Sequence, residues 1–458
     1  MKKKRKFKLS IWRILALGYL ITMFLGSVLL ILPFATRAGE STSYIDALFT
    51  AASATFITGL APYDTATHWT LFGQLVMLFL IQLGGLGFMT VVSVIFVMFR
   101  HGMGLHERRV MMMDAGGGST VLTGVKKLVI RIVAGSLIIE AVGALLLCIR
   151  FIPQFGALKG IYYSIWHSVS AFCNAGFDLM GTELVDGSVV SVSLTNYATD
   201  PLVSLTICCL IILGGLGFCV WGEVMDIKFN LKKASLNTKV ILIVNAVLLI
   251  GGTLLYLLFE RNNPSYAGFN FGEKLLASFF NSTTARTAGF STTAVSSLSD
   301  SGFLLTILLM FIGGSSGSTA GGLKVGTFAV ITMGMIGVFR GRRDINIGKR
   351  RIEYSLLLRA LAILTACLMT VIISTLIICG VEPHEVAHFD DALFLSVSAL
   401  STAGLGTCDI ASFCWLSKLI LIILMLAGRV GVLTFALALG EKKTTAEIRR
   451  PVENILIG

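Results

Sequence analysis

Charge is scarce in this sequence. Asp, Glu, Lys and Arg together make 14% of its 458 residues, while 55% are hydrophobic. Soluble domains carry roughly 25% charge, so a water-facing globule is excluded. Several runs of about 20 apolar residues are long enough to cross a bilayer. Metal and redox motifs are missing too. The nine cysteines include no CxxC pair, and most lie in apolar spans, where cysteine behaves as a small hydrophobe. Cys408 and Cys414 fall near one outer loop, and the reading favours free thiols there. No small-residue cleavage site follows the first apolar run; Pro33, Phe34 and Arg37 do. The basic start MKKKRKFKLS and the run behind it therefore read as an uncleaved first span. Gly116–Gly117–Gly118–Ser119–Thr120 has no GKS or GKT at P-loop spacing. No Ser/His/Asp or metal-ligand set emerges, and His167 reads as packing. Neither an enzyme nor an organic cofactor on this chain is expected.

What is there is a repeat. Asp46–Leu60, DALFTAASATFITGL, returns as Asp391–Leu405, DALFLSVSALSTAGL, with looser copies ending AFCNAGF and ARTAGF between them. Their glycines, Gly59, Gly176, Gly289 and Gly404, are spaced by 117, 113 and 115 residues. A hydroxyl stands six residues before each: Ser53, Ser170, Thr283 and Ser398. Four copies of one unit dictate the fold: repeat 1 over 1–100, repeat 2 over 101–227, repeat 3 over 228–340 and repeat 4 over 341–458. Each reads as span, re-entrant hairpin, span. First spans are expected at Ile14–Leu32, Ile132–Ile149, Val240–Phe259 and Ala360–Cys379, and second spans at Trp69–Phe99, Leu202–Val220, Phe303–Phe339 and Leu419–Leu439. The expected fold is an all-α polytopic membrane protein of eight spans around a pseudo-fourfold axis. Asp46–Ile57 is too short to cross; as a helix it would reach about 18 Å, roughly half the bilayer.

The charge balance of +12 reports topology. Basic residues concentrate in the N-terminus, the inter-repeat loops and the C-terminus, and acidic ones in the hairpin segments. The positive-inside rule puts both termini in the cytoplasm, and no nucleic-acid partner is needed to explain the charge.

Four re-entrant helices would converge on Ile57–Thr58–Gly59, Asn174–Ala175–Gly176, Thr287–Ala288–Gly289 and Thr402–Ala403–Gly404. Glycine reaches backbone angles closed to other residues, so successive carbonyls can face one line and replace the hydration shell of a monovalent cation. Helix C-termini aimed inward favour cations as well. Phe56 and Ile57 are bulkier than their counterparts, which makes the first segment the least regular quarter. Second spans carry glycine clusters at Gly84–Gly87, Gly214–Gly217, Gly313–Gly317 and Gly428–Gly431. In repeats 1 and 2 these read as close helix packing. In repeat 3, residues 312–327, IGGSSGSTAGGLKVGT, cannot hold a regular helix. The run Gly313, Gly314, Ser315, Ser316, Gly317, Ser318, Thr319, Ala320, Gly321 and Gly322 reads as a flexible intramembrane loop able to obstruct the path. Lys324 would hold it closed or snorkel to the interface. Arg429, mid-span, would line the pore below the filter or pair with Glu140 or Glu223. A secondary transporter working by alternating access is the alternative, kept open by the broken third repeat.

The motifs IDALFTAASATFITGL, SAFCNAGF, RTAGF, LSTAGLG, QLGGLGFMT, LLMFIGGSSGSTAGGLKVGTF and AGRVGVLTF, in this order, span nearly the whole chain. In them the sequence resembles the KtrB-type membrane subunits of the Trk/Ktr/HKT potassium transporter superfamily. The resemblance implies potassium permeation, Gly59 being intact where some sodium-passing relatives carry serine, with sodium as a candidate activator. It implies a bacterial cell-membrane protein, a homodimer with one pore per protomer, and a cytoplasmic nucleotide-binding RCK ring that controls opening. The basic loops Arg340–Arg351 and His106–Lys127 and the tail after Glu441 are the expected ring surfaces, with anionic lipid as the other reading. The loop carries over as the gate and Arg429 as the arginine beneath the filter.

Overall fold

The computed structural model describes residues 11–37, 41–87, 90, 125–185, 188–191, 193–341, 345–347 and 350–432. The loop over 106–124 and the tail after Glu441 lie outside them.

Four described helices are long and apolar enough to cross a membrane. They are α1 (Ile11–Leu30), α4 (Val125–Phe155), α8 (Leu236–Phe259) and α12 (Tyr354–Val381). Each opens one repeat, as the spacing of apolar runs predicts. Their outward faces carry apolar side chains such as Leu25, Leu145, Val247 and Leu376. That pattern suits hydrocarbon rather than water as the surrounding solvent.

A shorter helix follows each: α2 (Tyr44–Thr55), α5 (Ala157–Phe172), α9 (Phe271–Thr284) and α13 (Phe389–Ser401). Local chemistry sets three of their starts. Ser43 Oγ accepts the Asp46 amide, Asn270 and Glu273 form a reciprocal capping box, and His388 with Asp391 does the same. Each arrangement satisfies amides that a helix start leaves unpaired. In α2 every residue from Asp46 to Thr55 is buried, so these helices are the inner layer that the long helices wrap.

The second members of repeats 1, 2 and 4 end or bend where an unbroken span is expected, and that of repeat 3 is interrupted as expected. α3 (Leu71–Leu86) stops at Gly87 with φ 85°, and α14 (Trp415–Val430) at Gly431 with φ 94°. Apart from Thr90 and Val432, the rest of the spans expected there lies outside the described residues. In repeat 2, α6 (Pro201–Gly215) and α7 (Phe218–Asp226) meet at 92°, with Gly217 at φ 93°. In repeat 3, α10 (Asp300–Phe311) and α11 (Val325–Phe339) flank an open loop. The clusters in repeats 1 and 2, read as packing, also end helices. Their last glycine takes a left-handed conformation that costs other residues roughly 1–2 kcal/mol. Among the described residues, the second spans of repeats 2 and 3 are bent or interrupted.

The all-α expectation also misses two hairpins: β1 (Thr182–Val185) with β2 (Ser188–Ser191), and β3 (Ile345–Ile347) with β4 (Arg350–Ile352). The first occupies the long loop of repeat 2, the second the basic loop ahead of the first span of repeat 4. Cys408 and Cys414 are free thiols.

Repeats 1 and 4 are joined by a buried ion pair. Lys418 Nζ lies 2.7 Å from Asp46 Oδ1, with side chains 5% and 7% exposed. Lys418 also donates to the Ala411 carbonyl, and Asp46 accepts from the Ser43 and Tyr63 hydroxyls. A buried pair is tolerable only when such extra bonds satisfy both ions.

Candidate cation filter and the loop beneath it

At the end of each short helix the chain turns back through the segments singled out above. All four share one backbone signature. The residue two before each glycine has a left-handed φ: Ile57 52°, Asn174 55°, Thr287 67° and Thr402 53°. So has each glycine: Gly59 94°, Gly176 73°, Gly289 79° and Gly404 81°. Thr58, Ala175, Ala288 and Ala403 lie between them and are buried. A left-handed φ is rare for a β-branched residue, yet Ile57 adopts it as readily as its counterparts. The expected irregularity of the first quarter is absent from its backbone.

The odd segment is the third. The Thr58, Ala175 and Ala403 amides each donate over 2.8 Å to the carbonyl of the serine six before the glycine, Ser53, Ser170 and Ser398. In the third repeat Ala288 donates instead to Thr284, at 3.0 Å. Ser53 Oγ further accepts the Gly59 amide at 3.0 Å.

The glycines face one another in a closed cycle. A Cβ on Gly59 would sit 2.5 Å from the Ala175 oxygen, and one on Gly176 2.8 Å from the Ala288 oxygen. One on Gly289 would sit 3.0 Å from the Ala403 oxygen, and one on Gly404 2.1 Å from the Thr58 oxygen. Each glycine therefore packs on the next segment's carbonyl, and the fourth returns to the first. A side chain at any of them would intrude on the oxygen ring. The Thr58, Thr287 and Thr402 hydroxyls are buried with no hydrogen-bond partner among the described residues. The chemistry gathered here is carbonyl and hydroxyl oxygen, which suits a dehydrated monovalent cation.

The loop Ile312–Lys324 lies directly beneath; Val325–Thr327, expected to belong to it, are already helical in α11. Far from hanging free, it is stitched to repeat 2. Ser315 N donates to Gly215 O at 3.0 Å and Thr319 N to Gly214 O at 3.2 Å, while Phe218 N donates to Gly317 O at 2.8 Å. Thr319 Oγ1 donates to Oδ1 of Asn174, in the second candidate filter segment, at 3.0 Å. A Cβ on Gly321 would meet the Thr402 hydroxyl at 2.4 Å, so the loop also abuts the fourth filter segment.

Arg429 reaches the same loop from repeat 4. Its guanidinium donates to Thr319 O at 2.6 Å, Ser318 O at 3.4 Å and Gly85 O at 3.5 Å, and to Gly84 O. The ion pairs considered for it do not form. Glu140 is held by Gln82 Nε2 at 3.1 and 3.2 Å, and Glu223 takes the Ser235 and Thr238 hydroxyls. Carbonyl dipoles take the place of a counter-ion. Lys324 folds back on its own loop, Nζ to Ala320 O at 2.6 Å, rather than snorkelling outward. Both side chains line a cavity of about 300 Å³ together with Tyr19, Gly317 and Leu400.

His167 is buried, its Nδ1 2.7 Å from the Tyr163 carbonyl, as its packing reading requires. Three contributors carried no advance signal. Arg286, Lys418 and the Asn174–Thr319 bond depend on neighbours more than 25 residues away. Past the second filter segment, burial pushes the Asp178 carboxyl up to about 6; Asp64 adds to the rise, and the Met180 amide and Ser193 hydroxyl oppose it.

The TrkH family, described as cation transport proteins, matches residues 19–444. A potassium/sodium uptake protein, NtpJ, of Enterococcus hirae is 38% identical over 100% of this chain and 99% of its own length. Ktr system potassium uptake protein B of Bacillus subtilis is 38% identical over 97% of this chain and 96% of its own; the Vibrio alginolyticus protein of that name is 36% identical over 100% and 97%. The crystal structure of the potassium transporter TrkH from Vibrio parahaemolyticus superposes with a TM-score of 0.72 at 19% identity, covering 96% of this chain and 87% of that one. With four convergent glycine segments and a family match across nearly its whole length, the chain belongs to the TrkH family of cation transport proteins.

Proposed function

We propose that this protein is the ion-translocating subunit of a Ktr-type potassium uptake system. It passes potassium inward, down its electrochemical gradient, through a gated pore. The observation that carries this reading is the closed cycle of Gly59, Gly176, Gly289 and Gly404 against the neighbouring carbonyls. Four matched segments around one line suit a pseudo-fourfold, eight-span pore with Ile57–Gly59, Asn174–Gly176, Thr287–Gly289 and Thr402–Gly404 as its filter. The loop from Gly313 to Gly322, with Lys324 and Arg429, is the gate. The positive charge of Arg429, with the Lys324 amine beside it in the cavity below the filter, opposes cation passage while the loop is docked.

Relatives named as Ktr system proteins B support a multi-component assembly. We assign it two copies of this chain on a cytoplasmic RCK ring whose nucleotide sets the gate. The basic loops facing the cytoplasm suit that ring and anionic lipid, and both termini lie on the same side. A less selective potassium/sodium conduit is the second reading, favoured by the name of the Enterococcus hirae relative.

The test is growth. Expressed with its ring subunit in cells lacking potassium uptake, the full chain should restore growth at low potassium. Deleting Gly313–Gly322 should raise flux. Membrane-inserted protein that restores nothing would overturn the transport reading, and a folded deletion variant with lowered flux would overturn the gate.

A further inference from the structure

Arg429 holds the middle of the loop, but the loop's first residues are held from elsewhere. Arg286 stands three residues before the third filter glycine and is 7% exposed. Its guanidinium donates to the Gly313 carbonyl at 3.2 Å. No carboxylate pairs with it among the described residues, and its Nε has no partner among them. Beside it lies a small cavity of about 20 Å³, shared with Thr283, Asn245, Gly215 and Gly314. Asn245 reaches across to Ser315 Oγ at 3.4 Å.

The other repeats fill this register differently. Phe56, Cys173 and Ser401 occupy it in repeats 1, 2 and 4; only the repeat with the open loop places a charge there. In those three repeats the first cluster glycine packs on the last turn of its own short helix. A Cβ on Gly84, Gly214 or Gly428 would lie 2.2, 2.0 or 1.9 Å from the carbonyl oxygen of Thr55, Phe172 or Leu400. In repeat 3 the nearest neighbour of Gly313 is the loop itself, at the Gly321 oxygen, and Arg286 spans from the filter turn to the Gly313 carbonyl.

We propose that Arg286 is a positioning residue that latches the first hinge of the loop to the third filter segment. This rests on the gate reading above. A buried guanidinium needs carbonyl or carboxylate partners. Displacing Gly313 would strip Arg286 of the partner it has, so the docked loop is favoured. Charge-assisted hydrogen bonds of this kind shift a two-state balance by roughly tenfold or more. Arg286 and Arg429 thus hold one loop from two repeats, and opening must release both.

The experiment uses the full chain in liposomes under a potassium gradient, comparing wild type, Arg286→Met, Arg286→Lys and the Gly313–Gly322 deletion. Arg286→Met, which keeps the apolar stem, should raise flux roughly tenfold with an unchanged preference for potassium over sodium. Arg286→Lys keeps one donor and should fall between it and wild type. Amide hydrogen exchange over 312–323 should quicken in Arg286→Met. Wild-type flux and exchange in this variant, while the deletion raises flux, would overturn the latch and leave the gate standing. A changed ion preference would instead assign Arg286 to the filter and also overturn the latch. A deletion that leaves flux unchanged would sink the gate reading; exchange alone then judges the latch. If Arg286→Met fails to accumulate, Arg286→Gln is read by the same exchange, where a wild-type rate overturns the proposal.

Discussion

Two layers of this molecule, one above the other, treat the fourfold repeat differently. In the candidate filter layer all four repeats adopt one backbone: two left-handed residues flanking a buried one. In the layer below, a helix of each of three repeats ends against a single glycine, Gly87, Gly217 or Gly431, with φ of 85°, 93° and 94°. The third opens a loop from Ile312 to Lys324 instead. The upper layer must close a ring, so every member carries the same task and none can drift. The lower layer has no ring to close. One repeat there is free to diverge, and its neighbours in repeats 2 and 4 dock what it extrudes.

The largest effect should come from the contacts that join the layers. Gly428→Ala puts a methyl into the Leu400 carbonyl, with backbone on both sides. A loss on the order of 3 kcal/mol or more is expected, read as lost folded protein in detergent. Gly251→Ala, with open space around it, should stay within about 0.5 kcal/mol of wild type. Equal losses at both sites would erase the distinction between interlocking and incidental glycines.

Comparable in size is the effect at the seam that closes the ring. Lys418→Met strands the Asp46 carboxylate and should destabilise by about 3–5 kcal/mol, whereas Asp46→Asn with Lys418→Met should recover most of that. A double variant as unstable as the single one would show that packing, not the ion pair, holds repeat 1 to repeat 4.

The smallest effect tests the symmetry of the upper layer. Position two beyond the filter glycine is Ala61, Ser291 or Gly406 in three repeats, and Asp178 in the second. Its folded pKa of about 6 lies above the ordinary 3.8, so the native state holds the proton more tightly than the unfolded chain. Its favourable contribution is complete below about pH 3.8 and is lost as pH rises through about 6. Asp178→Asn should flatten the change in melting temperature between those values; an unaltered slope would assign it to other groups.

Much of this was legible in advance because each repeat needs glycine at one register, and glycine is visible in a sequence. The second left-handed residue was not. Ile57, Asn174, Thr287 and Thr402 are not residues that favour a left-handed φ as a set, and the helix end behind them imposes their conformation. Arg429 was visible as a charge in an apolar run, but its partners are carbonyls, which no composition marks. The breaks at Gly87 and Gly217 hid for a related reason: a glycine that packs closely and one that ends a helix look alike in sequence.

The central claim is that the four glycines line one cation filter, and ion preference tests it most directly. Potassium and sodium uptake should be measured for Gly59→Ser, Gly176→Ser, Gly289→Ser and Gly404→Ser in the assembled system. The closed cycle predicts that each variant inserted in the membrane loses preference for potassium, since each side chain meets a neighbour's carbonyl or backbone. Wild-type preference in all four well-expressed variants would contradict it.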